Sequence, residues 1–164
     1  ARALGHVTNG PWHDGKGAPF EGGHRVPFIA RWPGQIPPAT VSDETICHTD
    51  LLATVAAILD VKLPRDAGED SFNILPALRG VPLKEPIRKL TVLQGDTRDD
   101  ALAVRSGPWK LIESKAAKGG KQHQLYDLVK DPGETTDVAS ENPEVVRELA
   151  AALAKVRDNG RSRP

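Results

Sequence analysis

Asn142-Pro143-Glu144-Val145-Val146-Arg147-Glu148-Leu149-Ala150-Ala151-Ala152-Leu153-Ala154-Lys155-Val156-Arg157-Asp158-Asn159-Gly160 reads as one amphipathic helix. Asn142 is a capping residue, Pro143 suits the first helical position, and Glu144 favours the positive end of the helix dipole. Val146, Leu149, Ala150, Leu153 and Val156 fall on one stripe, and Gly160 is a natural stop. A stripe of this kind needs a partner, most simply one face of a sheet.

The residues upstream supply that sheet. Residues 90–93, 101–105, 109–112 and 125–128 are short β-prone runs. Ser106-Gly107-Pro108 between two of them predicts a hairpin turn. Asp131-Pro132-Gly133-Glu134 closes the last run. Residues 115–121 (KAAKGGK) read as a flexible, solvated loop, and Pro82 and Pro86 mark a connector. The second half is therefore predicted to be a small antiparallel sheet covered by the C-terminal helix.

The first half is less regular. Residues 1–24 are rich in Gly and His and show no apolar period, which predicts a long loop. Residues 25–32 (RVPFIARW) suit a buried strand, with Pro27 at its start or on an edge. Residues 34–41 are a Pro-rich connector. Thr49 is a plausible N-cap for a helix ending near Asp60, with Leu51, Leu52, Val55, Ile58 and Leu59 on one face, a face expected to lose part of its packing partner in this piece. At most a helical turn follows over residues 74–78.

Composition sets outer limits. The 164 residues carry 22 basic and 22 acidic side chains, a formal net charge of zero. Neither a nucleic-acid footprint nor a polybasic membrane signal is present. No run approaches 18 apolar residues, so no membrane span is expected. Cys47 is the single cysteine, which excludes an internal disulfide. The chain has no methionine, as expected of a processed or cut N-terminus.

Several residues invite chemistry. Residues 10–17 (GPWHDGKG) nearly match a phosphate-binding P-loop, but Gly17 stands where a Ser or Thr hydroxyl belongs, and Pro19 argues against a following helix. Lys16, between two glycines, suits a tetrahedral anion, against the plain reading of a solvated loop lysine. His6, His13, Asp14 and His24 match no compact metal-ligand spacing and read as separate hydrogen-bonding residues. Cys47-His48 reads as packing rather than a nucleophile pair. Asp99-Asp100 reads as a solvated tip, and Arg161 and Arg163 as a frayed tail. These residues alone support an α/β fragment with an anion-suited loop.

A resemblance goes further. Gly15-Lys16-Gly17, then Phe20-Glu21-Gly22-Gly23-His24-Arg25-Val26-Pro27-Phe28-Ile29 and Arg31-Trp32-Pro33-Gly34, closely resemble the GK…EGGxRVPxIxxWPG block of type I, arylsulfatase-like, formylglycine-dependent sulfatases. Cys47-His48-Thr49-Asp50-Leu51-Leu52, Asp70-Ser71, Leu75-Pro76 with Leu78 and Gly80, Ala103-Val104-Arg105, Trp109-Lys110-Leu111-Ile112, Leu125-Tyr126-Asp127-Leu128 and Asp131-Pro132 with Glu134 continue the likeness in order, over nearly the whole chain.

The resemblance implies an alkaline-phosphatase-like α/β fold. Residues 1–85 would form the end of its large domain. Residues 86–164 would form a C-terminal subdomain of antiparallel strands packed on a long helix, so the piece alone is α+β. The implied activity is sulfuric ester hydrolysis on a sulfated small molecule or glycan. In the complete enzyme a formylglycine nucleophile and a calcium ion are expected, with export to the periplasm, the extracellular space or the lysosome. Lys16 matches the family lysine that contacts the substrate sulfate. Cys47 precedes His-Thr-Asp rather than the Pro and Arg of a C/S-x-P-x-R motif, so it does not match the formylglycine precursor. Val7-Thr8-Asn9-Gly10 has the outline of the family's later metal pair, with Thr8 in the aspartate place. The pair is expected upstream of Ala1, with Asn9 as the alternative ligand.

The expectation is therefore the C-terminal part of a sulfatase, with no catalytic residue and no metal or cofactor of its own, completed by a missing N-terminal part. Alone it should be inactive and self-associate, swap elements, or keep residues 1–40 loose. The alternative is a non-catalytic binding or interaction module that retains the subdomain. An upstream C/S-x-P-x-R motif separates the two.

Overall fold

A computed structural model describes residues 4–96, 101–116 and 119–163. The elements are α1 (Glu21–His24), α2 (Asp50–Ile58), α3 (Leu75–Leu78), β1 (Thr91–Gln94), β2 (Leu102–Ser106), β3 (Trp109–Lys115), β4 (Lys121–Asp127) and α4 (Pro143–Asn159). The strands make one four-stranded antiparallel sheet in the order β1-β2-β3-β4, packed on α4. The expected fold of strands on a long terminal helix is the one observed. By its internal contacts the chain divides into two compact units, residues 1–26 with 92–155, and residues 27–91 with 156–164.

In the first unit a two-residue turn sets the register. Ser106 pairs with Trp109 across Gly107 and Pro108. Gly107 has φ of 53°, a conformation glycine adopts without the Cβ penalty. Pairing then runs through Val104↔Leu111 and Leu111↔Leu125. These three side chains share one face and are fully buried. It is the apolar face such a sheet offers a helix, and Leu149 and Leu153 of α4 are buried in turn. The opposite face carries Ala103, Ile112 and Tyr126, with Phe20, Leu93 and Leu128 packed against them. Phe20 belongs to the N-terminal loop, so this loop covers the second face. Residues 117 and 118 of the KAAKGGK loop, and Asp99-Asp100, lie outside the described residues.

The second unit departs from the sequence reading at three places. Residues 25–32 form no strand. Pro27 has no N–H to donate, and among the described residues no segment pairs with this stretch, so Val26 and Ile29 are exposed. The buried face of α2 is also not its apolar one. Asp50, Ala53, Thr54 and Ala56 point inward, while Leu51, Leu52, Val55, Ile58 and Leu59 are exposed.

Polar groups explain that choice. Asp50 Oδ1 accepts the Phe72 N–H at 2.9 Å and Oδ2 accepts the Cys47 N–H at 2.7 Å. Arg88 donates to both oxygens, at 2.5 and 3.0 Å, and lies over the Phe72 ring. Thr54 accepts the Ile74 N–H and Ser71 accepts the Ala53 N–H. Turning this face outward would strand buried donors and acceptors, each worth about 1–3 kcal/mol. Thr49 makes no capping hydrogen bond with its side chain.

The third departure is at the C-terminus. Arg161 and Arg163 are held rather than frayed. Arg161 Nη1 donates to the Arg65 carbonyl at 2.8 Å, and Arg163 Nη2 to that of Ala67 at 2.9 Å. Ser162 donates twice to Asp70 Oδ1. Three consecutive residues thereby fasten the tail to the 64–70 loop.

Candidate functional site

Lys16 sits on a loop that folds tightly back on itself. The Ala18 N–H donates to the Gly15 carbonyl at 3.0 Å, the Gly22 N–H to that of His13 at 3.0 Å, and the Gly23 N–H to that of Phe20 at 2.9 Å. Asp14 and Gly17 adopt φ of 56° and 95°. A Cβ on Gly22 would lie 2.4 Å from the His13 and Asp14 carbonyl oxygens, and one on Gly23 would lie 2.2 Å from that of Ala18. The paired glycines of the EGG run are the condition for this close approach. Asn9, the alternative metal ligand, donates its amide to the Asp14 carbonyl at 2.6 Å. The loop closes with Gly15 buried and Lys16 exposed. A one-turn helix, α1, does follow, against expectation, but it starts at Glu21 and not directly behind Lys16 as a P-loop requires.

Beneath the loop lies a cluster of buried charges. Lys110 of β3 is 0% exposed. Its Nζ is 3.1 Å from Glu21 Oε1 and 2.9 Å from Glu134 Oε1. Glu134 Oε2 also accepts the Glu21 backbone N–H at 2.6 Å. Arg25 donates to Glu21 Oε2 at 2.9 Å, and Arg105 stands 3.7 Å from the same oxygen. Glu134 itself has φ of 51°, an uncommon backbone for a glutamate, which its buried contacts hold in place. His13 stacks on Phe20 and donates from Nδ1 to the Glu134 carbonyl at 2.9 Å. Strand β3 and the turn after β4 thus grip the loop that carries Lys16.

Burial pushes the Glu21 carboxyl up, but the Lys110 ammonium, its hydrogen bond, Arg105 and Arg25 together outweigh this and hold it below 4.5. The neutral His24 ring is favoured by burial and by the Lys110 charge, and stays below 6.5. Both shifts have the same sign in stability. A depressed folded value means that the unfolded chain binds the proton more readily, so stability is lost as pH falls through that value. Urea unfolding between pH 7 and 3 should show two declines, the His24 step beginning near pH 6.5 and the Glu21 step near 4.5. The Glu21→Gln variant should shrink the lower step, leaving the share of Glu85 and Asp127, whose carboxyls are also held below their usual range by Lys89 and by the 129–130 backbone with Lys130, and should keep the upper one.

The remaining candidates do not converge. Among the described residues no group of three His, Cys, Asp or Glu side chains is placed to hold a metal. Cys47 is half-buried, and burial pushes its thiol above 9.0 with Asp50 and Asp70 adding to the rise against Arg88. Such a thiol is a poor nucleophile. Sequence reasoning assigned no role to Lys110, Glu21 or Glu134. The available signals were a lysine inside the apolar run Trp109-Lys110-Leu111-Ile112 and the presence of all three residues in the family-like blocks.

A groove of about 460 Å³ opens beside Lys16. Lys16, Asp14, Asp96, Ile112, Ser114 and Gln124 contribute to its wall. The Asp96 N–H donates to the Gly17 carbonyl at 2.5 Å, which joins the end of β1 to the loop.

Residues 10–159 match the family described as N-sulphoglucosamine sulphohydrolase, C-terminal. An N-acetylgalactosamine-6-O-sulfatase of Bacteroides thetaiotaomicron is 36% identical over 95% of this chain and 32% of its own length. Human arylsulfatase A is 34% identical over 82% of this chain and 31% of its own. The chain spans about a third of the length of these curated relatives. A solved structure from work on glycosaminoglycan metabolism by Bacteroides thetaiotaomicron superposes with a TM-score of 0.83 at 36% identity, over 96% of this chain and 34% of that one. The crystal structure of Ps i-CgsB in complex with k-i-k-neocarrahexaose gives 0.73 at 26% identity, over 91% and 32%.

Proposed function

The chain belongs to the sulfatase family, by its match to the C-terminal region over residues 10–159, and on that premise we propose that it supplies a sulfatase with its sulfate-contacting lysine and the rigid support of that lysine. The observation that carries this reading is the exposed Lys16, set between Gly15 and Gly17 on a loop gripped from below by buried ion pairs. An ammonium held on fixed backbone costs little ordering when a sulfate arrives. The substrate would be a sulfated sugar, in line with the N-acetylgalactosamine-6-O-sulfatase that the chain resembles. In this reading residues 1–85 belong to the large domain and residues 86–164 to the C-terminal subdomain.

The formylglycine and calcium of the family have no fitting residues in the described part of this chain. Cys47 lacks the C/S-x-P-x-R motif of a formylglycine precursor, and among the described residues no ligand set for a cation is assembled. The work of this chain is binding and positioning. A chromogenic aryl sulfate assay, with and without calcium, tests the reading. The chain alone should give no turnover. Turnover that survives repurification and disappears in Lys16→Ala would overturn the proposal, because one lysine would then be acting without the separate nucleophile it requires.

A further inference from the structure

We propose that His24 is a positioning residue for Lys16, a proton-sensitive latch whose neutral ring keeps closed the turn that presents the lysine to sulfate. This rests on the reading of Lys16 given above and adds its regulation. The geometry sets the ring against that turn. Among the described residues, His24 Nε2 is buried and has no hydrogen-bond partner. The ring nevertheless donates to the Ala18 carbonyl, which leaves Nδ1 as the donor and Nε2 as a bare lone pair. Ala18 closes the turn around Lys16, since its N–H donates to the Gly15 carbonyl at 3.0 Å. The latch therefore ties one end of this turn to α1.

Protonation disrupts the arrangement at Nε2. A second N–H would be buried there with no acceptor, and the ring would carry a charge. Its surroundings oppose that charge. Lys110 of β3 repels the protonated ring more strongly than Glu21 of α1 attracts it. Arg25, Arg105 of β2 and Glu134 behind β4 complete the neighbouring cluster, in which three cations already face two carboxylates. The charged ring is relieved by swinging out to water, and it then lets go of the Ala18 carbonyl. The sign of the effect separates a latch from a bystander. A histidine that merely lay near Lys16 would strengthen sulfate binding on protonation, as any added cation does. A latch weakens it.

Inorganic sulfate, titrated into the chain by NMR between about pH 7 and 5, where histidines change charge, tests the proposal. Affinity should fall about fivefold on acidification, the worth of one net hydrogen bond. His24→Asn places an amide nitrogen where Nδ1 stands but takes up no proton, and should hold the neutral affinity throughout. His24→Phe keeps the bulk of the ring without a donor, and should bind weakly at both pH values. The other histidines are the same in both variants, so the difference belongs to His24. In the unmodified chain the Ala18 amide should lose exchange protection in acid while Leu111 in β3 keeps it. Ala18 protection that survives acid, or that is lost equally in His24→Asn or together with Leu111, overturns the latch. Affinity that stays level or rises in acid, while Lys16→Ala abolishes it, overturns the positioning role. If Ala18 opens as described but neither acid nor Lys16→Ala moves the sulfate affinity, the latch on the turn stands and the Lys16 reading falls.

Discussion

Replacing Lys110 with methionine is expected to destabilise the chain by about 3–5 kcal/mol, the usual cost of removing one partner from a buried ion pair. Methionine matches the length and volume of the lysine stem, so packing changes little. What changes is charge. Glu21 and Glu134 keep their carboxylates, both nearly excluded from solvent, and the ammonium between them is gone. Arg25 and Arg105 still reach Glu21, but among the described residues Glu134 has no such second cation. The double variant Lys110→Met, Glu134→Gln should recover part of the loss, because the stranded charge is removed with its partner. Thermal unfolding reads both, with a shift of roughly 10 °C for the single variant. A single variant that unfolds at the original temperature would show that the cluster contributes no net stability. The expected loss is local as well as global. The Glu21 N–H is held by Glu134, so amide exchange should rise first around α1.

The legible part of this protein is the part whose signals are local. Helix α4 announces itself by a proline, a stripe and a closing glycine, and its observed span, Pro143–Asn159, follows them. The β2–β3 turn is written in Gly107 and Pro108. Helix α2 was legible as a helix but not in its orientation. Apolar counting turns Leu51, Leu52 and Val55 inward, whereas Asp50 and Thr54, with Arg88 and Ser71 from elsewhere in the chain, occupy the interior. A pattern that ranks side chains by hydropathy has no means to see a buried aspartate satisfied by an arginine 38 residues away. The cluster under Lys16 was illegible for the same reason. Lys110 and Glu21 are 89 residues apart, and Glu21 and Glu134 are 113. Lys16 itself was visible as an anion-suited lysine between two glycines, but only the family resemblance raised it above the plain reading of a solvated loop lysine.

Gly23→Ala should be the most disruptive of the small substitutions in the site, and it separates the shape of the loop from the charge on it. The added Cβ would stand 2.2 Å from the Ala18 carbonyl oxygen and 3.0 Å from that of Gly15. Both obstacles are backbone, so no side-chain rotation relieves them. Either the 15–18 turn opens or α1 moves away from it. Overpacking of this kind costs on the order of 1–3 kcal/mol, and the turn that opens is the one that carries Lys16. The variant should therefore lose sulfate binding, read by titrating inorganic sulfate into the chain by NMR, while Lys16 and its charge are intact. Gly95→Ala is the matched comparison. Its Cβ meets Pro19 Cδ at 3.3 Å and the Ala101 carbonyl oxygen at 3.4 Å, contacts that a shift of a few tenths of an ångström accommodates, and it should bind sulfate much as the unmodified chain does. Sulfate binding undiminished in Gly23→Ala would mean that the ammonium alone suffices and that the locked loop geometry adds nothing. Binding lost in Gly23→Ala and kept in Gly95→Ala assigns the affinity to a lysine held in place by the backbone around it.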